Sequence, residues 1–388
     1  MSSLGASLPD ADFYQCEASL NRFEQQKLAT LREFLAAEVA PYCVQWWNDG
    51  EFPAHILPAL AKLGLSTAIQ QGYSPLFAGL VIAEITRVDT SLATFFLVHH
   101  DLFVESLYQF GTEEQRERYL ADALALRTTG AFALTEPDHG SDVAGGMTTT
   151  ARREGESWVI NGAKRWIGNG TFCDHMVLWA RDAEEPGKVR GFILDATLPG
   201  VSRSKIENKI ALRTVQNAHI LLNDVRVPEA DRFVGVNSFQ DTNVLLQRSR
   251  AMVAWQAVGA QLGAYDCARN YALSRLQFGR PLASFQLIQA QLVTMLGNLT
   301  ASLAMMKQLT SQPATTMDQV ALAKAFTTSR MRETVALGRS ILGGNGIVTD
   351  YGMAKCFADA EAIFTYEGSH EINTLIVGRS ITGLSAIV

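Results

Sequence analysis

Three short stretches carry residue types suited to chemistry. The first, Ala-Ile-Phe-Thr-Tyr-Glu-Gly-Ser-His-Glu-Ile at residues 362–372, sets a lone carboxylate, Glu367, between an apolar run and a glycine. Burying an unpaired carboxylate costs several kcal/mol or raises its pKa until it neutralises. Glu367 is therefore either a solvated loop residue or an acid-base group with a perturbed pKa. Gly368 permits an unusual backbone angle, and Ser369 can cap a final helix whose first turn holds Glu371. The second stretch, residues 133–142 (Ala-Leu-Thr-Glu-Pro-Asp-His-Gly-Ser-Asp), is an apolar run entering a turn rich in hydroxyls and amides. Such a turn offers N–H and O–H groups to a polar planar ring or a phosphate; an ordinary Asx-type turn is the plainer reading. The third is Gly343-Gly344-Asn345-Gly346, either a close backbone approach to a ligand such as dinucleotide phosphates, or a helix C-cap.

Other chemistries lack their motifs. No dinucleotide glycine fingerprint follows a strand pattern, and neither a Walker loop nor a Gly-x-Ser-x-Gly elbow occurs. His370-Glu371 begins like a zinc-protease helix, but Thr374 stands where the second histidine belongs. No metal site is expected. The 33 basic and 39 acidic residues leave a net charge of −6 without a basic tract, which argues against nucleic acid. No apolar run approaches a membrane span, and the first twelve residues show no leader pattern. Five scattered cysteines without a Cys-x-x-Cys pair suit a reducing compartment, so a cytoplasmic setting is expected.

Three zones must position these stretches. Residues 20–125 read as helical, with Leu28, Leu31, Leu35 and Val39 at helical spacing and Gly111-Thr112 as a helix stop and cap. From about residue 130, short apolar runs alternate with turn residues as in an all-β domain, and Asn161-Gly162 is the best hairpin signal. Beyond Pro228 the helical pattern returns, strongest over residues 252–271 and 319–338. The expected division is 1–130, 131–235 and 236–388.

Taken with Arg275-Leu-Gln-Phe-Gly-Arg-Pro-Leu, the three stretches resemble the acyl-CoA dehydrogenase family from end to end. Within it, Thr365-Tyr-Glu-Gly-Ser-His-Glu-Ile-Asn-Thr-Leu and Lys164-Arg-Trp-Ile-Gly-Asn look closest to glutaryl-CoA dehydrogenases and plant peroxisomal short-chain acyl-CoA oxidases. The resemblance implies a mixed α and β fold: an N-terminal helical domain, a central β-domain of two packed sheets or a barrel, and a C-terminal four-helix bundle. It implies FAD between β-domain and bundle. Phe132, Ala133, Leu134, Thr135, Gly140 and Ser141 would line the flavin and pyrophosphate, and Trp166, Ile167 and Gly168 would cover the ring. Arg275, Phe278 and Gln286 would contact the adenine end. Leu342 with Gly343, Gly344, Asn345 and Gly346 would reach the FAD of a neighbouring subunit, and Ser369 would touch the flavin.

By the same likeness Glu367 is the general base. It removes the α-proton of an acyl-CoA thioester while the β-hydrogen leaves as hydride to the flavin. Ser141, Ser249, Arg250, Tyr366 and Gly368 would face the substrate. Ser249 occupies the position where some relatives carry the base instead. Ala93 stands where glutaryl-specific relatives have an arginine, which points to an uncharged, short acyl chain. His139 and Ser340 depart from the family pattern. The expected partners are an acyl-CoA, an electron-transfer flavoprotein and further copies in a homotetramer. The alternative is an oxidase using O2; a glutaryl-CoA dehydrogenase or a non-catalytic acyl-CoA-binding flavoprotein is less favoured.

Overall fold

In the computed structural model, residues 10–386 are described. The first nine residues and the last two lie outside the described residues, and with them most of the stretch read above for a leader pattern. From residue 22 the chain is helical: α1 Arg22–Phe34, α2 Cys43–Asp49, α3 Leu57–Lys62, α4 Pro75–Val88, α5 Thr90–Phe96, α6 Glu105–Phe110 and α7 Glu113–Leu124. The periodic residues of the first helix face inward, with Leu28, Leu31 and Val39 fully buried and Leu35 nearly so. Gly111 ends α6, and Thr112 caps α7 in a box with Gln115, as the sequence indicates.

The strands follow: β1 Gly130–Ala133, then the short helix α8 Val143–Gly146, β2 Thr150–Glu154, β3 Ser157–Ile167, β4 His175–Asp182, β5 Val189–Asp195, β6 Val201–Lys205 and β7 Ala218–Pro228. They do not form two separate sheets. Hydrogen bonds join all seven in the order β1-β4-β2-β3-β7-β6, with β5 also on β4. The join arises because β4 runs parallel first to β1 and then, further along, to β2 at Thr150 and Ala151. The sheet curls on itself, so Trp158 of β3 meets Phe192 of β5 at 5.7 Å between ring centroids.

Asn161-Gly162 is not a turn. It lies inside β3, where the ladder with β7 slips between Ile160 and Gly162. Gly162 adopts φ +148°, and a Cβ there would sit 2.5 Å from Thr149 Oγ1. A bulge draws on the same glycine freedom as a hairpin turn, so composition alone does not separate them. The hairpin joining β2 to β3 turns instead at Gly155-Glu156, where Glu154 pairs with Ser157.

The C-terminal bundle consists of α9 Asn243–Ser274, α10 Gln286–Thr310, α11 Met317–Ile341 and α12 Met353–Thr365; α13 His370–Thr382 packs back on α11. A small hairpin, β8 Leu276–Gln277 with β9 Arg280–Pro281, separates α9 from α10. By length and composition α10 is apolar enough to cross a membrane, against the sequence reading. It packs on α9 and α11 here, its outer face exposed.

A buried ion cluster ties the three parts together. On α12, Lys355 Nζ lies 2.9 Å from Asp89 Oδ2 at the start of α5 and 3.1 Å from Asp359 Oδ2. Asp359 Oδ1 also accepts from Trp47 Nε1 of α2 (2.8 Å) and from the Leu212 N–H before β7 (2.6 Å). Lys355→Met strands two buried carboxylates, so it is expected to destabilise the fold by about 3–5 kcal/mol. A denaturant midpoint equal to that of the parent protein would refute this.

Candidate active site

The first face of the site belongs to the β-domain. Beyond β1 the chain is sewn to β3: Leu134 O accepts from Lys164 Nζ (3.0 Å) and Thr135 O from the Arg165 N–H (2.8 Å). The fully buried Lys164 also pairs with Glu136 at 2.9 Å. Burial alone would push the Glu136 carboxyl up, but Lys164 and the donors of Thr148 and Thr149 outweigh it and hold it well below the usual range. The turn after Thr135 is thereby fixed beside residues 165–168. Gly140 and Ser141 lie on the surface, and Trp166 is 53% exposed at φ +64°. An exposed indole beside hydroxyls and open backbone is a donor set that fits one side of a planar polar ring. Ala133, Leu134 and Ile167 turn their side chains into the core, leaving only backbone to a ligand, and Phe132 packs on Trp179. His139 Nδ1 pairs with Asp142 Oδ2 at 2.8 Å, which raises the imidazole pKa.

The second face belongs to the bundle. Between α12 and α13, Glu367 and Gly368 are consecutive left-handed residues, at φ +56° and +79°. A non-glycine residue there costs about 1–2 kcal/mol, and such strain persists only where the surroundings impose it. They do. Lys324 Nζ donates to Phe364 O (3.0 Å) and Gly368 O (2.7 Å), Arg250 Nε to Glu367 O (3.1 Å), and Asn373 Nδ2 to Gly368 O (2.8 Å). Ser369 caps α13 by accepting from the Ile372 N–H.

The carboxylate itself accepts one hydrogen bond, from Ser249 Oγ to Oε2 at 2.7 Å. Burial pushes the Glu367 pKa up; the Ser249 hydrogen bond, then the charges of Arg250 and Lys324, pull the other way, and burial wins. Some of the residue's surface remains accessible. Of the two sequence readings, the solvated loop glutamate is excluded. Next to it, Tyr366 Oη donates to Gln256 Oε1 (2.6 Å), and Gln256 Nε2 to Thr94 Oγ1 (3.3 Å), beside the fully buried Ala93.

The two faces are held in fixed relation by the wide-turn segment Leu97–Val104, which packs on both β1 and α9. Its His99 Nδ1 accepts from the Gly130 N–H at 2.9 Å.

Comparison with known proteins bears on the chain as a whole. Models of the N-terminal, middle and C-terminal domains of acyl-CoA dehydrogenase match residues 23–126, 131–225 and 239–382. The mitochondrial short-chain specific acyl-CoA dehydrogenase of Homo sapiens is 31% identical over 371 residues, 91% of this chain and 88% of that protein. The chain belongs to the acyl-CoA dehydrogenase family. The caffeyl-CoA reductase-Etf complex subunit CarC of Acetobacterium woodii is 32% identical over 346 residues, 85% of this chain and 90% of its own. Two crystal structures of glutaryl-CoA dehydrogenase from Mycobacterium smegmatis, one in complex with FADH2, superpose with TM-scores of 0.94. They are 32% and 28% identical, and each match covers 98% of this chain and 100% of the other.

The remaining positions suggested by likeness to the acyl-CoA dehydrogenase family lie apart from both faces. Arg275, Phe278 and Gln286 sit on or beside the exposed β8–β9 hairpin, with Phe278 92% exposed. Leu342 is buried in the helical core, so its side chain is unavailable to a ligand. Gly343 and Gly344 have open space where a Cβ would be. At Gly346 a Cβ would stand 2.3 Å from Arg339 O, which makes it a packing glycine. Asn345 is anchored to Tyr271 Oη at 2.8 Å, and Ser340 is exposed.

Sequence reasoning missed Lys324, Gln256 and Thr94. A signal existed for the first: Lys324 lies one turn beyond Val320, among alanines on the inward side of α11. A charge on a buried stripe calls for a partner.

Proposed function

We propose that the chain is an FAD-dependent dehydrogenase of an uncharged, short-chain acyl-CoA, with Glu367 as the base that takes the α-proton of the thioester. The observation that carries this reading is the desolvated carboxylate on an imposed left-handed turn. A protein that merely bound acyl-CoA would gain nothing from that strain. FAD, which the family uses and which suits the face formed by Thr135, Ser141 and Trp166, supplies the acceptor for the β-hydrogen.

The chain's own residues supply the rest. The Glu367 N–H makes no hydrogen bond among the described residues, so it is available to polarise the thioester carbonyl. One such donor contributes about 3–4 kcal/mol. Ser249 holds the carboxylate oxygen and cannot act as a base itself, leaving Glu367 unopposed. The buried Tyr366–Gln256–Thr94 chain and Ala93 favour a short, neutral acyl group, in keeping with the short-chain specificity in the name of the human relative. An electron-transfer flavoprotein is the proposed acceptor, because a relative is named as a subunit of an Etf complex.

A homotetramer is proposed from exposed apolar side chains: Leu287 and Val293 on α10, Ile347 after the glycine loop, and Ile381 on α13 are each at least 69% exposed. Other copies would cover them, bringing the glycine loop to a neighbour's cofactor.

The test is a panel of acyl-CoAs assayed first with an electron-transfer flavoprotein or dye and then with O2 alone. The purified protein is expected to be yellow with non-covalent FAD, to turn over with the first acceptors and to release little peroxide. Stoichiometric peroxide at a comparable rate would move the assignment to oxidase. A folded but colourless protein that takes up no FAD would sink the reading altogether.

A further inference from the structure

Three lysines are almost wholly buried: Lys164, Lys324 and Lys355. Two are neutralised by carboxylates, Lys164 by Glu136 and Lys355 by Asp89 and Asp359, all within 3.1 Å. Lys324 has no carboxylate within ion-pair distance among the described residues, although its exposure is 0%. Its hydrogen bonds to acceptors outside its own helix go to Phe364 O and Gly368 O, one on either side of Glu367. A buried cation without a salt bridge is a costly choice, and an apolar residue of similar volume is often neutral or stabilising in such a place. Some other demand must hold it there.

We propose that Lys324 is a positioning residue for Glu367: its ammonium ties together the carbonyls that flank the left-handed pair, fixes the direction of the carboxylate, and favours the carboxylate form over the neutral acid. This rests on Glu367 being the base. The geometry gives the reason for a lysine. Two carbonyls four residues apart must be drawn to one point, which needs several donors on one atom at the end of a long stem, and an ammonium offers three. Arg250 grips the middle carbonyl from α9. Two buried cations from separate helices thus hold a single five-residue stretch, Phe364 to Gly368.

The charges that act on Glu367 come from two helices, Arg250 on α9 and Lys324 on α11; Glu371, in the first turn of α13, acts on Lys324. Burial brings the Lys324 ammonium down to about 8, offset in part by Glu367 and then opposed by Arg250, so it is charged at neutral pH. Its charge lowers the pKa of Glu367, and losing it should raise that pKa further. The base would then be more protonated at pH 7, and the rate should recover as pH increases.

The experiment uses FAD-loaded Lys324→Met and Lys324→Gln. Methionine removes donors and charge; glutamine keeps a donor without the charge. Two readouts are needed. One is the pH profile of single-turnover flavin bleaching. The other is a substrate-free infrared titration of the Glu367 carboxyl, identified by difference against Glu367→Gln.

Lys324→Met is expected to be about 10- to 10²-fold slower at pH 7, the range for a misplaced reactive group, with both midpoints moved to higher pH. Lys324→Gln should regain part of the rate but keep the shifted midpoints. Unchanged midpoints in either folded variant would overturn the proposal. So would failure of both variants to fold, which would assign Lys324 to stability alone. An active Glu367→Gln protein would instead overturn the base assignment, so the two failures are distinguishable.

Discussion

Glu367→Gln is expected to fold, bind FAD and bind acyl-CoA, yet bleach its flavin at least about 10²-fold more slowly on mixing with substrate. The amide keeps the shape of the side chain and can still accept from Ser249 Oγ, which lies 2.7 Å from the carboxylate in the parent protein. The clamp on the turn acts through backbone carbonyls of Phe364, Glu367 and Gly368, so it survives the change. What is lost is the proton-accepting oxygen. The effect should fall on the rate of bleaching rather than on ligand affinity, because an interaction made in the reaction itself has been removed. Burial raises the Glu367 pKa in the parent, so its bleaching rate should climb with pH as the carboxyl ionises. The residual rate of the glutamine variant should lose that dependence. Near-parental bleaching by Glu367→Gln would place the base elsewhere.

Legibility in the sequence followed the range of the physics involved. The helix stop at Gly111 and the caps at Thr112 and Ser369 were readable because capping is settled within a few residues. The long helices around residues 252–271 and 319–338 were readable from periodicity, and both extend beyond those limits in the fold. Asn161-Gly162 was misread because the choice between turn and bulge depends on β7, more than fifty residues away, where Asp224 exchanges hydrogen bonds with Asn161. The edge strand β6, Val201–Lys205, has the mixed polar sequence Val-Ser-Arg-Ser-Lys and no apolar run to reveal it. The single curled sheet was hidden for a similar reason: it depends on β4 meeting two different strands along one side. At the site, Glu367 stood out as a lone carboxylate between an apolar run and a glycine. Of the groups that hold it, Ser249 and Arg250 were reached only through the family likeness and Lys324 not at all, because all three come from two other helices.

Butyryl- or hexanoyl-CoA is expected to exceed glutaryl-CoA in kcat/KM by about 10²-fold or more, on the reasoning that each 1.4 kcal/mol is a factor of ten and an unpaired buried charge costs several kcal/mol. Likeness to a glutaryl-CoA dehydrogenase structure at a TM-score of 0.94 argues, taken alone, for the opposite preference. Overall shape does not decide it, since a substrate's distal carboxylate needs a cation at one point. Helix α5, Thr-Ser-Leu-Ala-Thr-Phe-Phe, carries no cation at all. Ala93, the position that the family likeness aligns with an arginine of glutaryl-specific relatives, is fully buried among apolar side chains. The nearby polar groups, Thr94, Gln256 and Tyr366, already bond to one another and bring no positive charge. The monomethyl ester of glutaryl-CoA separates charge from length, because it is at least as long and neutral. If charge is the obstacle, the ester should recover most of the lost kcat/KM; if length is the obstacle, it should remain as poor as the diacid. Comparable kcat/KM for glutaryl- and butyryl-CoA would mean that a cation from another element reaches the acyl end, and the neutral-substrate assignment would fall while Glu367 and the fold stood unchanged.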